Sequence, residues 1–369
     1  MKNIINLIAI TILLGSVACQ NKVAKKELKV TVDKDFPQLI YKDSNGLNAA
    51  DGSISVLMPD SSSVFMMGDS FLGEVHEGKL DSTTKMINNV FVVVNPEKTS
   101  SKVLFQDESG NPDSFVIPEN DPGKFYWPGH GFVRDSVFHF FMSRFHIPGK
   151  GMWGFEFLNT DYLTYSWPSF EKKSVEPFKY SLINKVHWGH AVLDDGQYIY
   201  IYGAREEENK ICKAHVCRAQ FTDQGKLDLE NIEFFNGTEW SRDPMNTAPM
   251  AGITSNVSEQ FSVFKYQDKY VLLSQERGIG TGEIYTYTSD QPVGPWNNKQ
   301  MIYRTTESEK DKDIITYNAM AHPQYIENGE LLICYNVNSL KPARIFENID
   351  FYRAVYLRVP MEMILGVQE

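Results

Sequence analysis

One pattern of apolar and polar positions recurs along the chain: a polar residue, an apolar run, a turn, a second apolar run and another polar residue. The first copy starts at Asp51, continues through the apolar run 54–58, turns at Pro59-Asp60-Ser61-Ser62, and returns through 64–67 to Gly68-Asp69. Short apolar runs bounded by turn residues are typical of β-strands. Two such runs joined by a short turn predict an antiparallel hairpin, whose two ends lie at the same edge of a sheet.

Four further copies of this pattern follow. Their polar ends are His130 and Arg144, His190 and Arg205-Glu206, Glu259 and Glu276-Arg277, and His322 and Asn336. The five first positions are 60 to 79 residues apart, which leaves room for four strands and long loops in each unit. We therefore predict an all-β fold, a five-bladed β-propeller of antiparallel four-stranded blades, in which each hairpin supplies the two inner strands of a blade.

The polar ends of the hairpins are the candidate functional residues, because this geometry gathers them on one face around a central funnel. Asp51 and Asp69 are the predicted catalytic pair, since two carboxyl groups across a cleft are the usual equipment for cleaving a glycosidic bond. Asp-Gly and Gly-Asp are also common turn sequences, so an isolated pair could be structural. The repetition of polar ends in all five hairpins favours a functional face.

Further residues of this face are predicted to bind substrate, and two tryptophans beside it could stack on sugar rings or pack in the core. The predicted substrate-binding residues are Trp127, His130, Arg144, Trp188, His190, Arg205, Glu206, Glu276, Arg277, Asn318, His322 and Asn336.

Composition is consistent with one large β domain. The chain has 369 residues with 42% hydrophobic and 13% aromatic content, and we find no Gly-, Ser- or Pro-rich linker after residue 45, so 45–369 is predicted to be a single domain. The formal net charge of -11 argues against a nucleic-acid partner, because a phosphate backbone requires a basic surface.

The amino terminus resembles a bacterial lipoprotein signal. A short basic start precedes the apolar stretch 4–14, which is too short to span a bilayer, and small residues then lead to Cys19. Residues 1–19 are therefore predicted to be a signal peptide with a lipidated Cys19, and 20–44 a tether, although 28–32 could also form a first or closing strand. The expected location is the bacterial cell envelope, with the membrane contacted only through the lipid. An ordinary signal peptide with an incidental cysteine is the alternative.

Three cysteines remain in the domain. Cys212 and Cys217 flank His215, but the two cysteines are five positions apart on an alternating strand and would face opposite sides, so no zinc site is expected there. With Cys334 the number is odd, which leaves at least one free thiol.

Three short motifs resemble the five-bladed propeller glycoside hydrolases. They are Gly68-Asp69-Ser70-Phe71-Leu72-Gly73, Phe235-Asn236-Gly237-Thr238-Glu239-Trp240 and the segment 288–296 that ends in Gly-Pro-Trp. Within these enzymes the chain is most similar to a group long catalogued as a domain of unknown function, whose characterised members are endo-D-arabinanases. The resemblance implies paired catalytic aspartates in the first blade, which Asp51 and Asp69 match. Other five-bladed arabinan and xylan hydrolases use an acidic Glu from a later blade, a role for which Glu259 is the candidate.

We therefore predict a lipid-anchored glycoside hydrolase of furanose-rich, arabinan-like polysaccharide. The alternative from another class is a non-catalytic glycan-binding propeller. A sialidase-like hydrolase is a further alternative, because Arg144, Arg205 and Arg277 could together hold a carboxylate. We expect no required cofactor and assign no metal ligands, although a structural Ca²⁺ ion in the funnel would be compatible with the prediction.

Overall fold

The structure is a computed structural model that describes residues 28–366, except 152, 209 and 279. The predicted signal peptide and Cys19 lie outside the described residues. The described part consists mainly of antiparallel strands with a few short helices, so the all-β prediction is confirmed.

The strands up to residue 113 include several two-residue pairings. They are β1 (Thr31–Asp33), β2 (Ala49–Ala50), β3 (Ile54–Leu57), β4 (Ser63–Met67), β5 (Ser70–Phe71), β6 (Val75–His76), β7 (Lys79–Leu80), β8 (Met86–Ile87), β9 (Val90–Val94), β10 (Ser101–Leu104), β11 (Gln106–Asp107) and β12 (Pro112–Asp113).

The later strands are mostly longer. They are β13 (Lys124–Arg134), β14 (Val137–His146), β15 (Glu156–Ser166), β16 (Lys172–Phe178), β17 (His187–Asp194), β18 (Ile199–Glu206), β19 (Cys212–Ala219), β20 (Glu233–Phe235), β21 (Trp240–Ser241), β22 (Ser262–Tyr266), β23 (Lys269–Gln275), β24 (Glu283–Ser289), β25 (Asn297–Arg304), β26 (Ile314–Glu327), β27 (Glu330–Ser339) and β28 (Val355–Pro360). The helices are α1 (Pro37–Ile40), α2 (Tyr180–Asn184), α3 (Glu307–Lys310), α4 (Ala343–Glu347) and α5 (Met361–Leu365), and two 3-10 turns span Pro244–Asn246 and Ile349–Tyr352.

The longer strands form five antiparallel sheets, which we number along the chain. Sheet 1 has the strand order β3-β4-β9-β10, sheet 2 β13-β14-β15-β16, sheet 3 β17-β18-β19-β20-β21, sheet 4 β22-β23-β24-β25, and sheet 5 β26-β27-β28-β1. Sheet 3 has five strands rather than the predicted four, because the short hairpin β20–β21 extends its outer edge.

The five predicted hairpins are present as the first two strands of the five sheets. In the first hairpin Ile54 pairs with Met66 and Leu57 with Ser63, which is the register expected from the turn at 59–62. The first strands of consecutive sheets contact one another in the order β3, β13, β17, β22 and β26, and β26 returns to β3. The first strands therefore form a closed ring.

The core lies between the facing sheets rather than in one central mass. Phe141 of sheet 2 and Ile201 of sheet 3 belong to one apolar cluster, and Leu272 of sheet 4 packs with Tyr202 of sheet 3 in another. Further clusters fill the spaces between sheets 4 and 5 and between sheets 5, 1 and 2. Because each sheet packs against two neighbours, both of its faces are apolar. The polar residues lie at the ends of the strands.

The amino-terminal segment is part of the domain from residue 31 onward. Strand β1 completes sheet 5 by pairing with β28, with Thr31 opposite Arg358, and Ile40 is fully buried in the core. The segment 28–44 was predicted to belong to a tether. Strand β1 (Thr31–Asp33) overlaps the closing-strand alternative for 28–32 and is the fourth strand of sheet 5.

Candidate active site

The site begins with the first hairpin, which holds Asp51 and Asp69 at its open end. The backbone N–H of Gly68 donates to the carbonyl of Asp51 at 2.8 Å, and the N–H of Asp51 donates to the carbonyl of Asp69 at 3.3 Å. A Cβ added at Gly68 would lie 2.3 Å from Oδ1 of Asp51. The glycine therefore leaves the space in which the Asp51 carboxylate lies, which explains the Gly-Asp sequence on the returning strand.

The carboxylate of Asp51 is held by two tyrosines from distant parts of the chain. The hydroxyl of Tyr317, on β26, donates to Oδ2 of Asp51 at 2.8 Å. The hydroxyl of Tyr352, in the 3-10 turn before β28, is also hydrogen-bonded to this carboxylate. Tyr352 reaches the site because its turn packs with the small strands that flank the first hairpin. Two neutral donors stabilise the ionised form of Asp51.

The carboxylate of Asp69 has a different set of partners. The indole Nε1 of Trp127 donates to Oδ1 at 2.7 Å, and the side-chain amide of Asn88 donates to the same oxygen at 3.1 Å. The ring of Trp127 packs against Phe145 and Phe155, with centroid separations of 4.4 and 4.8 Å. Trp127 therefore orients Asp69, a role different from the predicted stacking on substrate.

The electrostatic environment favours a proton on one member of the pair. Burial raises the pKa of both aspartates, and the negative charge of Asp51 raises the pKa of Asp69 further, to about 7. The donors Trp127 and Asn88 oppose this shift only in part. An aspartate with a pKa near neutrality can act as a proton donor while its neighbour is ionised.

The raised pKa of Asp69 should make the thermal stability of the protein depend on pH, whether or not the protein is active. The pKa of Asp69 is raised from 3.8 to about 7 on folding, so the folded state binds the proton more tightly than the unfolded state. The contribution of this proton to the free energy of unfolding is fully present below about pH 3.8 and is lost as the pH rises through about 7. The variant Asp69→Asn cannot ionise. Its Tm relative to wild type is therefore expected to increase between about pH 4 and pH 8, as measured by thermal denaturation.

A matched control for this measurement is Asp60→Asn, in the exposed turn at the other end of the same hairpin. Asp60 caps the turn by accepting hydrogen bonds from Ser62. This substitution removes a carboxyl group from the same hairpin without touching the aspartate pair. A constant Tm difference for Asp69→Asn across the same range would show that its pKa is not raised.

Three of the ring strands carry a β-bulge at corresponding positions. The strand registers shift between Pro128 and Gly131, between Trp188 and Ala191, and between Tyr317 and Met320. Bulges re-aim side chains and are frequent next to active sites. The bulged segments contain three of the predicted binding residues: His130, His190 and Asn318.

These bulges meet the other sheets near the centre of the ring. Gln260 lies just before β22, and its side-chain Nε2 donates to the carbonyl of Pro128 in sheet 2. Its Oε1 accepts a hydrogen bond from the side-chain amide of Asn318 in sheet 5. His130 accepts a hydrogen bond from the backbone N–H of Val192 at 3.1 Å, and burial lowers its pKa to about 4. His130 is therefore a neutral connector between sheets.

The remaining predicted residue of sheet 5 on this face is Asn336. It is buried, its Oδ1 accepts from the backbone N–H of Gly52 at 3.1 Å, and its amide group donates to the carbonyl of Asn318 at 3.4 Å. Asn336 thus holds the glycine that follows Asp51 and contributes to positioning this aspartate.

A charged group lies on sheets 3 and 4. Arg277 pairs with Glu206 at 2.9 Å and with Glu259 at 2.5 Å. The side chain of Glu259 is 46% exposed, and partial burial raises its pKa, while the positive charge of Arg277 opposes the shift. Glu259 is accordingly the one predicted residue besides the aspartates that combines a carboxyl group, access to solvent and a raised pKa.

Other predicted charged residues are occupied by partners within the domain. Arg144 forms hydrogen-bonded ion pairs with Asp161, and Arg205 pairs with Glu207 at 2.9 Å. Glu276 accepts a backbone N–H at 3.1 Å. These interactions hold loops and strand ends in place.

Two of the predicted residues are in the core. Trp188 is fully buried and its Nε1 donates to Asn184, so its ring is not available for stacking on a sugar. His322 is also fully buried and accepts or donates a hydrogen bond with Ser55 at 2.7 Å. In sheet 5 the position equivalent to the other polar ends is therefore occupied by Asn318, four residues earlier, because β26 starts at Ile314.

The residues missed by the sequence reasoning are Asn88, Tyr317 and Tyr352, which bind the aspartates, and an aromatic group on the loop after β14. In that loop Trp153 is 61% exposed and its ring lies 6.2 Å from that of Phe155, which contacts Trp127. The available signal in the sequence was a tryptophan in a glycine-rich loop, in Gly151-Met152-Trp153-Gly154. No sequence pattern marks Tyr317 and Tyr352, because they reach Asp51 only when sheet 5 packs beside sheet 1.

The described residues include candidate metal ligands. One group of three is present there, formed by His187, His190 and Glu259. Two imidazoles and one carboxylate differ from the all-oxygen set that Ca²⁺ prefers, so the calcium ion in the funnel stays a prediction. Cys212, Cys217 and Cys334 are free thiols and buried. Over the described range we find no helix long and apolar enough to cross a membrane.

The strands and sheets place the protein in the all-β class, and solved structures with a similar fold include a glycoside hydrolase. The chain belongs to the family described as "Domain of unknown function (DUF5005)", whose pattern matches residues 33–361. No curated protein matches the chain.

Several solved structures are similar at low identity. A proposed hydrolase from Bacteroides ovatus ATCC 8483 is 18% identical over 91% of this chain and 92% of its own, with a TM-score of 0.73. An exo-β-1,3-galactanase from Phanerochaete chrysosporium, solved with β-1,3-galactotriose, is 8% identical over 92% of this chain and 66% of its own, with a TM-score of 0.50. A GH43_1 enzyme from Xanthomonas citri, solved with xylotriose, is 12% identical over 87% of this chain and 92% of its own, with a TM-score of 0.48. At these identities the likeness to the first two structures shows a shared fold and nothing more.

Proposed function

We propose that this protein is a glycoside hydrolase of furanose-rich, arabinan-like polysaccharide, and that its ring of five sheets is a five-bladed β-propeller. The closed order of contacts among β3, β13, β17, β22 and β26 supports the propeller. The observation that carries the function is the pair Asp51 and Asp69, fixed side by side at one strand end with raised pKa values.

The two aspartates have complementary roles in the proposed reaction. Asp69, with a pKa of about 7, donates its proton to the glycosidic oxygen as the bond to the anomeric carbon breaks. Asp51, held by Tyr317 and Tyr352, acts in its ionised form, either by activating water or by attacking the anomeric carbon. Water supplies the hydroxyl group of the new reducing end. Trp127 and Asn88 keep the acid in position.

The substrate class rests on the motifs at 68–73, 235–240 and 288–296 and on the aromatic loop near the pair. Trp153 offers an exposed ring, and aromatic rings are suited to stacking on the apolar face of a sugar. Glycoside hydrolases with a related fold that were solved with oligosaccharides support a carbohydrate substrate.

A panel digestion tests the proposal. Purified protein is incubated with linear and branched arabinans, xylan, galactan and mycobacterial arabinogalactan, and released reducing ends are quantified. We expect release from an arabinofuranose-containing polymer. Binding to a polymer without release of reducing ends from any member of the panel would instead support the glycan-binding alternative.

The sialidase-like alternative requires three arginines free to hold one carboxylate. Arg144, Arg205 and Arg277 are each paired with carboxylates of the protein itself. The structure therefore favours the aspartate pair as the reactive group.

We also propose that Cys19 carries the lipid that anchors the protein in the cell envelope. In the variant Cys19→Ala the protein should move from the membrane fraction to the soluble fraction, because acyl chains alone would hold it there. Fractionation of cells followed by immunoblotting measures this, with Cys212→Ala as a control that removes a buried thiol. Equal membrane retention of wild type and Cys19→Ala would contradict the anchor.

A further inference from the structure

A cluster of two histidines and one glutamate lies across the junction of sheets 3 and 4. His187 and His190 are on β17, and Glu259 comes just before β22. Their candidate ligand atoms all lie within 4.8 Å of one another. The two imidazole rings are in contact, with centroids 4.2 Å apart and planes inclined by 63°. Three donor groups therefore converge on one small volume.

His190 is the most informative member of this cluster. It is only 2% exposed, and neither of its ring nitrogens has a hydrogen-bond partner in the protein. Buried polar atoms are nearly always satisfied, because leaving one without a partner costs about 1–3 kcal/mol. A buried imidazole whose two nitrogens have no partner in the protein, beside a second imidazole and a carboxylate, is suited to bind a metal ion.

His187 is oriented in the way that metal-binding histidines usually are. Its Nε2 lies 2.6 Å from the hydroxyl of Ser143, on the neighbouring sheet 2. When Nε2–H donates to this hydroxyl, the tautomer leaves the lone pair of Nδ1 for a metal ion. Phe157 packs against the same ring at a centroid distance of 4.0 Å and restricts its rotation.

Glu259 completes the set and opens it to solvent. Its Oε1 pairs with Arg277, and the carboxylate has a second oxygen that can bind a cation. Arg277 is also paired with Glu206, so its charge is compensated. Because the side chain of Glu259 is 46% exposed, a metal ion could enter from this side.

We propose that His187, His190 and Glu259 bind a divalent first-row transition metal ion of the Zn²⁺ type. Imidazole nitrogen and carboxylate oxygen are ligands that Zn²⁺ accepts, whereas Ca²⁺ and Mg²⁺ select oxygen. Three protein ligands leave a coordination position open on the exposed side, which water or a sugar hydroxyl can occupy.

The site also has a structural consequence. The ion connects β17 with the segment before β22, and Ser143 links it to sheet 2, where Trp127 lies directly opposite Ser143 in the strand pair. Trp127 in turn binds Asp69. Metal binding would therefore brace the ring on the side that holds the proton donor. Measuring it does not require the proposed hydrolytic activity.

Direct metal binding tests the site. Protein prepared without a polyhistidine tag is stripped with chelator and titrated with Zn²⁺ in a calorimeter, and the bound metal is counted after dialysis. We expect one Zn²⁺ ion per chain, and a Tm that rises with Zn²⁺ because the ion binds the folded state. Co²⁺ in place of Zn²⁺ should give the visible absorption of a low-symmetry site with nitrogen and oxygen ligands.

The variants identify the ligands. His187→Ala, His190→Ala and Glu259→Gln should each weaken Zn²⁺ binding by more than the roughly 10- to 100-fold that partners of metal ligands typically contribute, and Ser143→Ala should weaken it within that range. His76→Ala, which removes an exposed histidine outside the cluster, should leave the affinity unchanged. Glu259→Gln and Ser143→Ala keep the test valid if a histidine variant does not fold. The proposal fails if wild type binds no stoichiometric Zn²⁺, or if Glu259→Gln and Ser143→Ala bind it as tightly as wild type.

Discussion

Asp51→Asn and Asp69→Asn are each expected to lower turnover of the cleaved polysaccharide by roughly 10²-fold or more, the scale of general acid-base catalysis. Both substitutions preserve the shape of the side chain. In Asp69→Asn the amide oxygen can still accept the hydrogen bonds from Trp127 and Asn88, which both reach Oδ1. In Asp51→Asn the oxygen can still accept from Tyr317. The expected loss therefore comes from the missing proton transfer or nucleophile, and binding of the polysaccharide should remain.

Initial rates of reducing-end release, together with a binding assay on the same polymer, measure this prediction. Asp60→Asn, at the opposite end of the hairpin, is the control and should retain wild-type turnover. The assignment would be wrong if both aspartate variants stayed active while Glu259→Gln was inactive. Because Glu259 is also a proposed metal ligand, that outcome should be compared with His190→Ala, which removes the metal without removing the carboxyl group.

Gly68→Ala should reduce turnover by a similar factor without changing any chemical group of the site. The added methyl group would lie 2.3 Å from Oδ1 of Asp51, so the carboxylate has to move. A displacement of about 1 Å of a catalytic group can cost roughly 10²-fold in rate. The neighbouring contacts of Gly68 are with Asp51 itself, so the global fold should be retained, as circular dichroism can verify.

The control for this change is Gly46→Ala. There the added Cβ would meet the flexible side chain of Lys42 at 3.0 Å, which can move aside, and the site lies outside the reach of that methyl group. Wild-type turnover in Gly46→Ala and a large loss in Gly68→Ala would locate the effect at Asp51. Full activity in Gly68→Ala would show that the position of the Asp51 carboxylate is not critical.

Local patterns in the sequence were sufficient for the hairpins and for the aspartate pair. A strand, a short turn and a returning strand involve neighbouring residues only, so the alternation of side chains and the turn sequence determine their register. The ends of a hairpin are adjacent by construction. Asp51 and Asp69 could thus be paired from the sequence, and their neighbouring glycines fit the close approach that the structure shows.

The β-bulges set side-chain directions that the sequence pattern did not predict. A regular strand places residues 188 and 190 on the same face, but Gly189 has φ of +93° and the register shifts there. Trp188 consequently enters the core, while His190 meets Glu259 of the next sheet. In β26 the corresponding shift falls at Asn318, so that His322 is directed into the core. The additional residues of a bulge, two in β17 and one in β26, re-aim the side chains there, and periodicity cannot reveal them.

Ring closure decided the rest of the site. Tyr317 and Tyr352 reach Asp51 from about 270 to 300 positions away in sequence, because sheet 5 packs beside sheet 1 and β1 completes it. The pKa values follow from the same packing, since burial and the approach of the second carboxylate raise the pKa of Asp69. The sequence determined which carboxylates are paired and which strands hold them. Tertiary structure determined their hydrogen-bond donors, their protonation and the cluster of His187, His190 and Glu259, because these depend on contacts between residues that only the closed ring brings together.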